Sequence, residues 1–172
     1  GMDFMFLSHH HHDHVGGYTK LVRNNPTLKG ATTIETIELF RVAGLDSVRR
    51  KRLLGEELPY DEEDVARAVE SLSPVKLGES IDLGNVQVRF DPAGHTLGAA
   101  SFRFEFEGAS YYITNDISFG ESPNGIVAPA PKQTFTNCRA VVRECTYINY
   151  RPTENRETTE ERFAEDCIRV LR

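Results

Sequence analysis

The sequence predicts a mixed α/β domain, and three observations carry that reading. A short apolar run, Met2–Ser8, ends at a cluster of histidines, as a buried strand would. Three helical stretches, the first of them short, follow it. The chain then changes to short segments of alternating apolar and polar residues, which are strands.

The chain has 172 residues, about one domain's worth and enough to bury a real core. No apolar run approaches the ~20 residues of a membrane span, and Met2–Ser8 is too short and lacks the basic start of a secretory leader. Gly1 reads as a tag remnant ahead of the start methionine. The net charge of −6 argues against holding nucleic acid by a broad basic surface. It does not exclude a nuclease whose metals meet the phosphate. Cys138, Cys145 and Cys167 show no CxxC spacing and read as reduced, buried thiols of a cytoplasmic protein.

Gly16-Gly17 opens a stretch to Asn25 that holds a short helix, closed by Pro26. Thr33 to about Leu54 is helical, with Ile34, Ile37, Phe40 and Leu45 on an imperfect apolar face broken by Gly44. Tyr60–Leu72 is a cleaner helix: Asp61 or Asp64 stands near its positive end, and Val65, Ala68, Val69 and Leu72 form one stripe. Ser80–Leu83, Val86–Phe90, Ser101–Glu107 and Ser110–Thr114 are strands. In the third, Phe102, Phe104 and Phe106 alternate with Arg103, Glu105 and Glu107. Pro123–Phe135 is loop and Ala140–Cys145 a strand. Thr158–Leu171 is a helix with Thr158 and Glu161 at capping-box spacing.

All six histidines lie in two places, His9–His12 with His14, and His95. His9, His11, Asp13 and His14 fit H-x-H-x-D-H. Residues two apart at a strand end point the same way, so His9 and His11 can converge on one metal at ~2.0–2.1 Å. The turn that follows can aim Asp13 and His14 at a second. A purification-tag remnant would be longer and would not lead from an apolar strand into Asp-His-Val-Gly-Gly. His10 and His12 are the positions left over. His95 lies in a Gly-flanked turn, Ala93-Gly94-His95-Thr96-Leu97-Gly98, and Asp116 follows the strand from Tyr111. Alone, Asp116 is an ordinary turn residue. As an ordered set these six residues form a metal site, and imidazole with carboxylate suits zinc ahead of manganese or iron.

These segments resemble the metallo-β-lactamase superfamily: His9–Gly17 its second motif, His95 its third and Asp116 its fourth. Ala93–Ala100 is similar to the β-CASP branch, that of the cleavage and polyadenylation nuclease and its prokaryotic relatives. Thr33-Ile34-Glu35-Thr36 resembles that branch's T-x-x-T segment. Val142-Arg143-Glu144-Cys145-Thr146-Tyr147 resembles its E-S-T-Y-G segment, with Ile148 in place of the Gly; Asn115 replaces the Gly of Thr-Gly-Asp.

The resemblance implies an αββα four-layer sandwich over residues 2–139, then the strand and helix that begin a β-CASP region over 140–172. It implies opening strands before Met2 and, after Arg172, the rest of the cap with a histidine that completes the second metal. It implies two zinc ions: His9, His11 and His95 on one, Asp13 and His14 on the other, Asp116 bridging. Asp13 would also orient the attacking water, and Glu144 would orient a cap histidine. The activity implied is endo- or 5′-exonucleolytic cleavage of RNA rather than DNA, with the 172 residues inactive alone. A homo-oligomer or a partner chain is then a source for the missing cap. A DNA exonuclease of the same branch and a non-catalytic fragment or partner subunit are the alternatives.

Overall fold

The computed structural model describes residues 2–120, 127, 129–130 and 136–146, and in the C-terminal segment Arg162, Glu165, Ile168 and Arg169. Those last four are all helical, while the rest of the Thr158–Leu171 helix and most of the Pro123–Phe135 loop lie outside the described residues.

β1 (Phe4–Phe6) leads through the histidine motif into α1 (His12–Val15) and α2 (Tyr18–Asn24). Next come β2 (Lys29–Thr32), α3 (Ile34–Leu53), α4 (Glu62–Glu70) and β3 (Leu72–Pro74). A meander follows: β4 (Ser80–Asp82), β5 (Val86–Pro92), β6 (Ala100–Phe106) and β7 (Ala109–Ile113), and then β8 (Ala140–Val142). β1, β2 and β3 make a parallel three-stranded sheet in that order. β4 to β8 make a five-stranded sheet, antiparallel except for the parallel β7–β8 pair.

Period-2 alternation in β1 decides the layering. Met5 packs with Leu7, Tyr18, Phe40 and Ala68 among the helices, while Phe4 and Phe6 face the second sheet. There the Phe6 ring meets Phe90, Phe102 and Phe104 at centroid distances of 5.9, 5.7 and 5.9 Å, the tilted and edge-on pairings aromatic quadrupoles favour. Helices, parallel sheet and mixed sheet are thus three layers of the expected sandwich.

The helix starts follow capping chemistry. The Thr33 side chain accepts from Thr36 N at the start of α3, and Asp61 and Asp64 exchange side-chain bonds with each other's backbone N–H at the start of α4. Asp64, 1% exposed, also takes Arg23 Nη1 at 2.9 Å and pairs with Arg67.

Several expectations change. Leu72, placed on the last turn of a helix, instead opens β3, because Ser71 caps α4 and its carbonyl accepts Gly30 N–H at 3.0 Å. The aromatic face of β6 is buried only at its start: Phe102 is buried, whereas Phe106 at the far end is 38% exposed. Two of the thiols are not buried: Cys145 is exposed and Cys138 partly so, as they flank β8, the edge strand of its sheet among the described residues. Both are unpaired, and Cys167 lies outside the described residues. Among the described residues, no helix is long and apolar enough to cross a membrane.

Candidate metal centre

The site forms where three connections meet at one edge of the two sheets. β1 runs through Leu7 and Ser8 into the histidine motif, and Ser8 O accepts Ala100 N–H at 2.9 Å, tying the motif to the start of β6. The turn between β5 and β6 carries His95. It is closed by Ala93 N–H to Ala99 O at 3.0 Å and held from outside by Ser118 N–H to Ala93 O at 2.7 Å.

Both glycines of this turn have positive φ, 73° at Gly94 and 74° at Gly98. A Cβ on Gly94 would strike Ser118 O, and one on Gly98 would come within 2.5 Å of Thr33 Oγ1. The Gly98 carbonyl accepts from Thr33 Oγ1 at 2.7 Å, with Thr36 Oγ1 at 3.4 Å. The two threonines are thus the clamp on the histidine turn, and both are fully buried. After β7, Asn115 adopts φ 51°, a left-handed conformation that asparagine tolerates in place of glycine, and this delivers Asp116.

Four side chains converge. His11 Nδ1 lies 3.1 Å from His9 Nε2 and 3.1 Å from His95 Nε2. Asp116 Oδ2 lies 3.7 Å from His9 Nε2 and 3.4 Å from His95 Nε2. All four donor atoms fall within 4.8 Å of one another. A tetrahedral ion with bonds of about 2.1 Å spaces its donors about 3.4 Å apart, and four of the donor separations here, 3.1, 3.1, 3.4 and 3.7 Å, lie around that value, in a group that could hold one ion. Mutual hydrogen bonding is a poorer account: each imidazole nitrogen offers one lone pair or one N–H, and here three crowd one point.

A second, looser group adjoins it. His14 Nε2 is 3.3 Å from Asp116 Oδ1 and 3.6 Å from Asp13 Oδ2. Asp116 therefore presents one oxygen to each group. Asp13 is at the rim, its side chain 78% exposed. Glu144 stands apart from both: its carboxylate accepts Thr146 N–H at 2.9 Å, and its own N–H donates to Thr114 Oγ1 at 3.3 Å.

Electrostatics favour the neutral imidazole, the form that binds metal, at His9 and His95. Burial, then the neighbouring imidazoles of His14, His95, His11 and His10, push His9 down to about 3. His95 is also lowered, first by burial; Asp116 pulls it up, His11 and His14 pull it down, and Glu144 is near enough to pull it up. Glu144 is held below the usual carboxylate range, chiefly by the Thr146 N–H.

The metallo-β-lactamase superfamily model matches residues 2–146, which contain every residue of both groups. The chain belongs to the metallo-β-lactamase superfamily. The curated relatives it is similar to are named as cleavage and polyadenylation factors and ribonucleases. It is 29% identical over 172 residues to cleavage and polyadenylation specificity factor 73 of Drosophila melanogaster, covering 99% of this chain and 24% of the relative. It is 29% identical over 170 residues to a Thermus thermophilus ribonuclease, covering 99% of this chain and 37% of the relative. An RNase J-like protein of Methanocaldococcus jannaschii is 27% identical over 181 residues, covering 99% of this chain and 38% of that protein. The chain thus spans a quarter to two-fifths the length of these relatives.

Sequence reading named the convergent histidines and acids. It missed Ser8, whose Oγ reaches His9 Nδ1 at 3.1 Å and His14 Nδ1 at 3.2 Å. A hydroxyl immediately before the first histidine was the only available signal. It also left His10 unassigned. That residue's Nδ1 is buried without a partner, beside a cavity of 290 Å³ between α1 and α3.

Proposed function

We propose that this chain carries the metal-binding core of a zinc-dependent phosphodiesterase that cleaves RNA, in the manner the names of its relatives imply. The observation that carries this reading is the convergence of His9, His11, His95 and Asp116, whose donor atoms all lie within 4.8 Å of one another. Three imidazoles and a carboxylate favour zinc, with manganese or iron as weaker fits. The second position would be held by His14, Asp13 and Asp116 Oδ1.

Divalent cations held by these residues would supply Lewis acidity near neutral pH, activating water and offsetting phosphate charge. The chain's own residues do the rest. Asp116 presents its two oxygens to the two groups and so fixes their separation. Asp13, at the exposed rim, can orient the attacking water and accept its proton, the role of a general base within hydrogen-bond reach. Buried His9 is kept neutral and cannot be lost to protonation at physiological pH. Glu144, held by the Thr146 N–H, would orient a histidine that these 172 residues do not contain. Names such as ribonuclease and cleavage factor among the relatives support RNA over DNA, and the thiol content fits a cytoplasmic protein.

The test is zinc reconstitution followed by elemental analysis and competition titration. Wild-type protein should bind zinc, and His11→Ala or His95→Ala should weaken the binding by orders of magnitude. Zinc affinity unchanged in both variants overturns the assignment. In the full-length protein, cleavage of single-stranded DNA but not RNA overturns the substrate.

A further inference from the structure

Ser8 touches both halves of the centre without belonging to either donor set. It is 4% exposed, and its Oγ lies 3.1 Å from His9 Nδ1 and 3.2 Å from His14 Nδ1. Each of these rings turns its other nitrogen inward. His9 Nε2 faces His11 Nδ1 and Asp116 Oδ2, and His14 Nε2 faces Asp116 Oδ1 and Asp13. A neutral imidazole has one N–H. If Nε2 is to offer a lone pair, the proton must sit on Nδ1, and a buried Nδ1–H needs an acceptor. A serine oxygen has two lone pairs, which matches the two imidazoles that reach it.

We propose that Ser8 is a positioning residue that accepts both Nδ1–H groups, fixing His9 and His14 in the Nδ1–H tautomer with Nε2 free. One hydroxyl then sets the chemistry of a ligand in each of the two groups, so the groups are coupled before any ion arrives. The inference rests on the proposed metal site, but its first readout does not need metal. His11 and His95 serve as internal references: among the described residues neither is hydrogen-bonded to Ser8, and His11 turns Nδ1, not Nε2, to the centre. The backbone at position 8 is held separately, by Leu7 N–H to Ala31 O at 3.1 Å and Ala100 N–H to Ser8 O at 2.9 Å. Removing the hydroxyl therefore leaves the chain in place.

The experiment is long-range ¹H–¹⁵N correlation NMR on histidine-labelled protein, metal-free at about pH 8, for wild type, Ser8→Ala and Ser8→Thr, followed by zinc titration of each. Wild type should show the Nδ1–H pattern for His9 and His14. Ser8→Ala should shift both toward Nε2–H and lower zinc affinity about 10- to 100-fold, the usual cost of losing an outer-shell partner. Ser8→Thr, which keeps the hydroxyl, should restore both. A merely structural role would lower the melting temperature without moving the tautomers. Wild-type rings already carrying Nε2–H, or Ser8→Ala with unchanged tautomers and affinity, overturns the proposal. Correct tautomers in a protein that binds no zinc would uphold the Ser8 contact and overturn the metal-site reading instead.

Discussion

Thr33 offers a direct measure of how firmly the His95 turn is clamped. Replacing it with valine keeps the shape and deletes one oxygen. Three interactions go: the cap to Thr36 N at 3.3 Å, the bond to Gly98 O at 2.7 Å and the bond to Thr36 Oγ1 at 2.9 Å, whose loss frees that hydroxyl to move. Loss of an N-cap costs about 1 kcal/mol. A buried carbonyl left without a partner costs about 1–3 kcal/mol. The second loss is softened, because Thr36 Oγ1 stands 3.4 Å from the same carbonyl and 2.9 Å from Thr33 Oγ1, and can move in. About 2 kcal/mol in total is expected for Thr33→Val, read by urea denaturation followed by circular dichroism. For a chain of 172 residues this corresponds to a melting point lower by about 4–8 °C. Thr36→Val should cost less, because Thr33 still holds the carbonyl. The double variant should cost more than the sum of the two, since nothing then remains to replace the lost bond. Thr33→Val within about 0.5 kcal/mol of wild type, or strict additivity in the double variant, would refute a shared buried acceptor.

Two further expectations concern separate parts of the molecule. Burial raises the Asp64 pKa, but the Asp61 N–H, Arg67 and Arg23 outweigh it and hold the carboxyl below its ordinary range. Its stabilisation is therefore fully present above the unfolded value of about 3.9 and is lost as pH falls through the lower folded value. The stability advantage of wild type over Asp64→Asn should accordingly be constant from about pH 5 to 7 and shrink below about pH 4; a gap independent of pH would contradict this. Gly94→Ala combines positive-φ strain with a collision against Ser118 O, whereas Gly84→Ala, at φ 88° but in open space, carries the strain alone. Gly84→Ala should cost about 1–2 kcal/mol and leave zinc binding intact. Gly94→Ala should cost clearly more and weaken zinc binding, and equal effects of the two would show that the turn is not packed as described.

What could be read from the residues was whatever a single segment encodes. The alternation in β6 and the spacing of His9, His11 and His14 are local patterns; the first survives as a strand buried at its start and the second as convergent side chains. β2 shows where this fails. Lys29-Gly30-Ala31-Thr32 has no apolar alternation, yet Gly30, Ala31 and Thr32 are buried, because β1 and β3 flank it and layers cover both its faces. Gly30 is needed there because a side chain would strike Tyr18 and Leu72. Leu72 failed for the complementary reason: it continues the helical stripe of Val65, Ala68 and Val69, and only pairing with Gly30 converts it to strand. Tertiary pairing overrode a valid periodicity.

The same division runs through the site. Ligand identity was legible because metal coordination demands particular residue types at short spacing, and the H-x-H-x-D-H spacing is within one turn of chain. The residues that hold the ligands obey no such spacing. Thr33 and Gly98 are 65 positions apart, and their bond joins the start of a helix to a turn between strands of the other sheet. Ser8 is adjacent to His9, but its reach to His14 exists only once α1 folds the motif back on itself. A site of this kind therefore announces its donors in the sequence and hides its supports. A substitution at Ser8 or Thr33, which leaves every ligand in place, is accordingly where metal affinity should change with least warning from the motif.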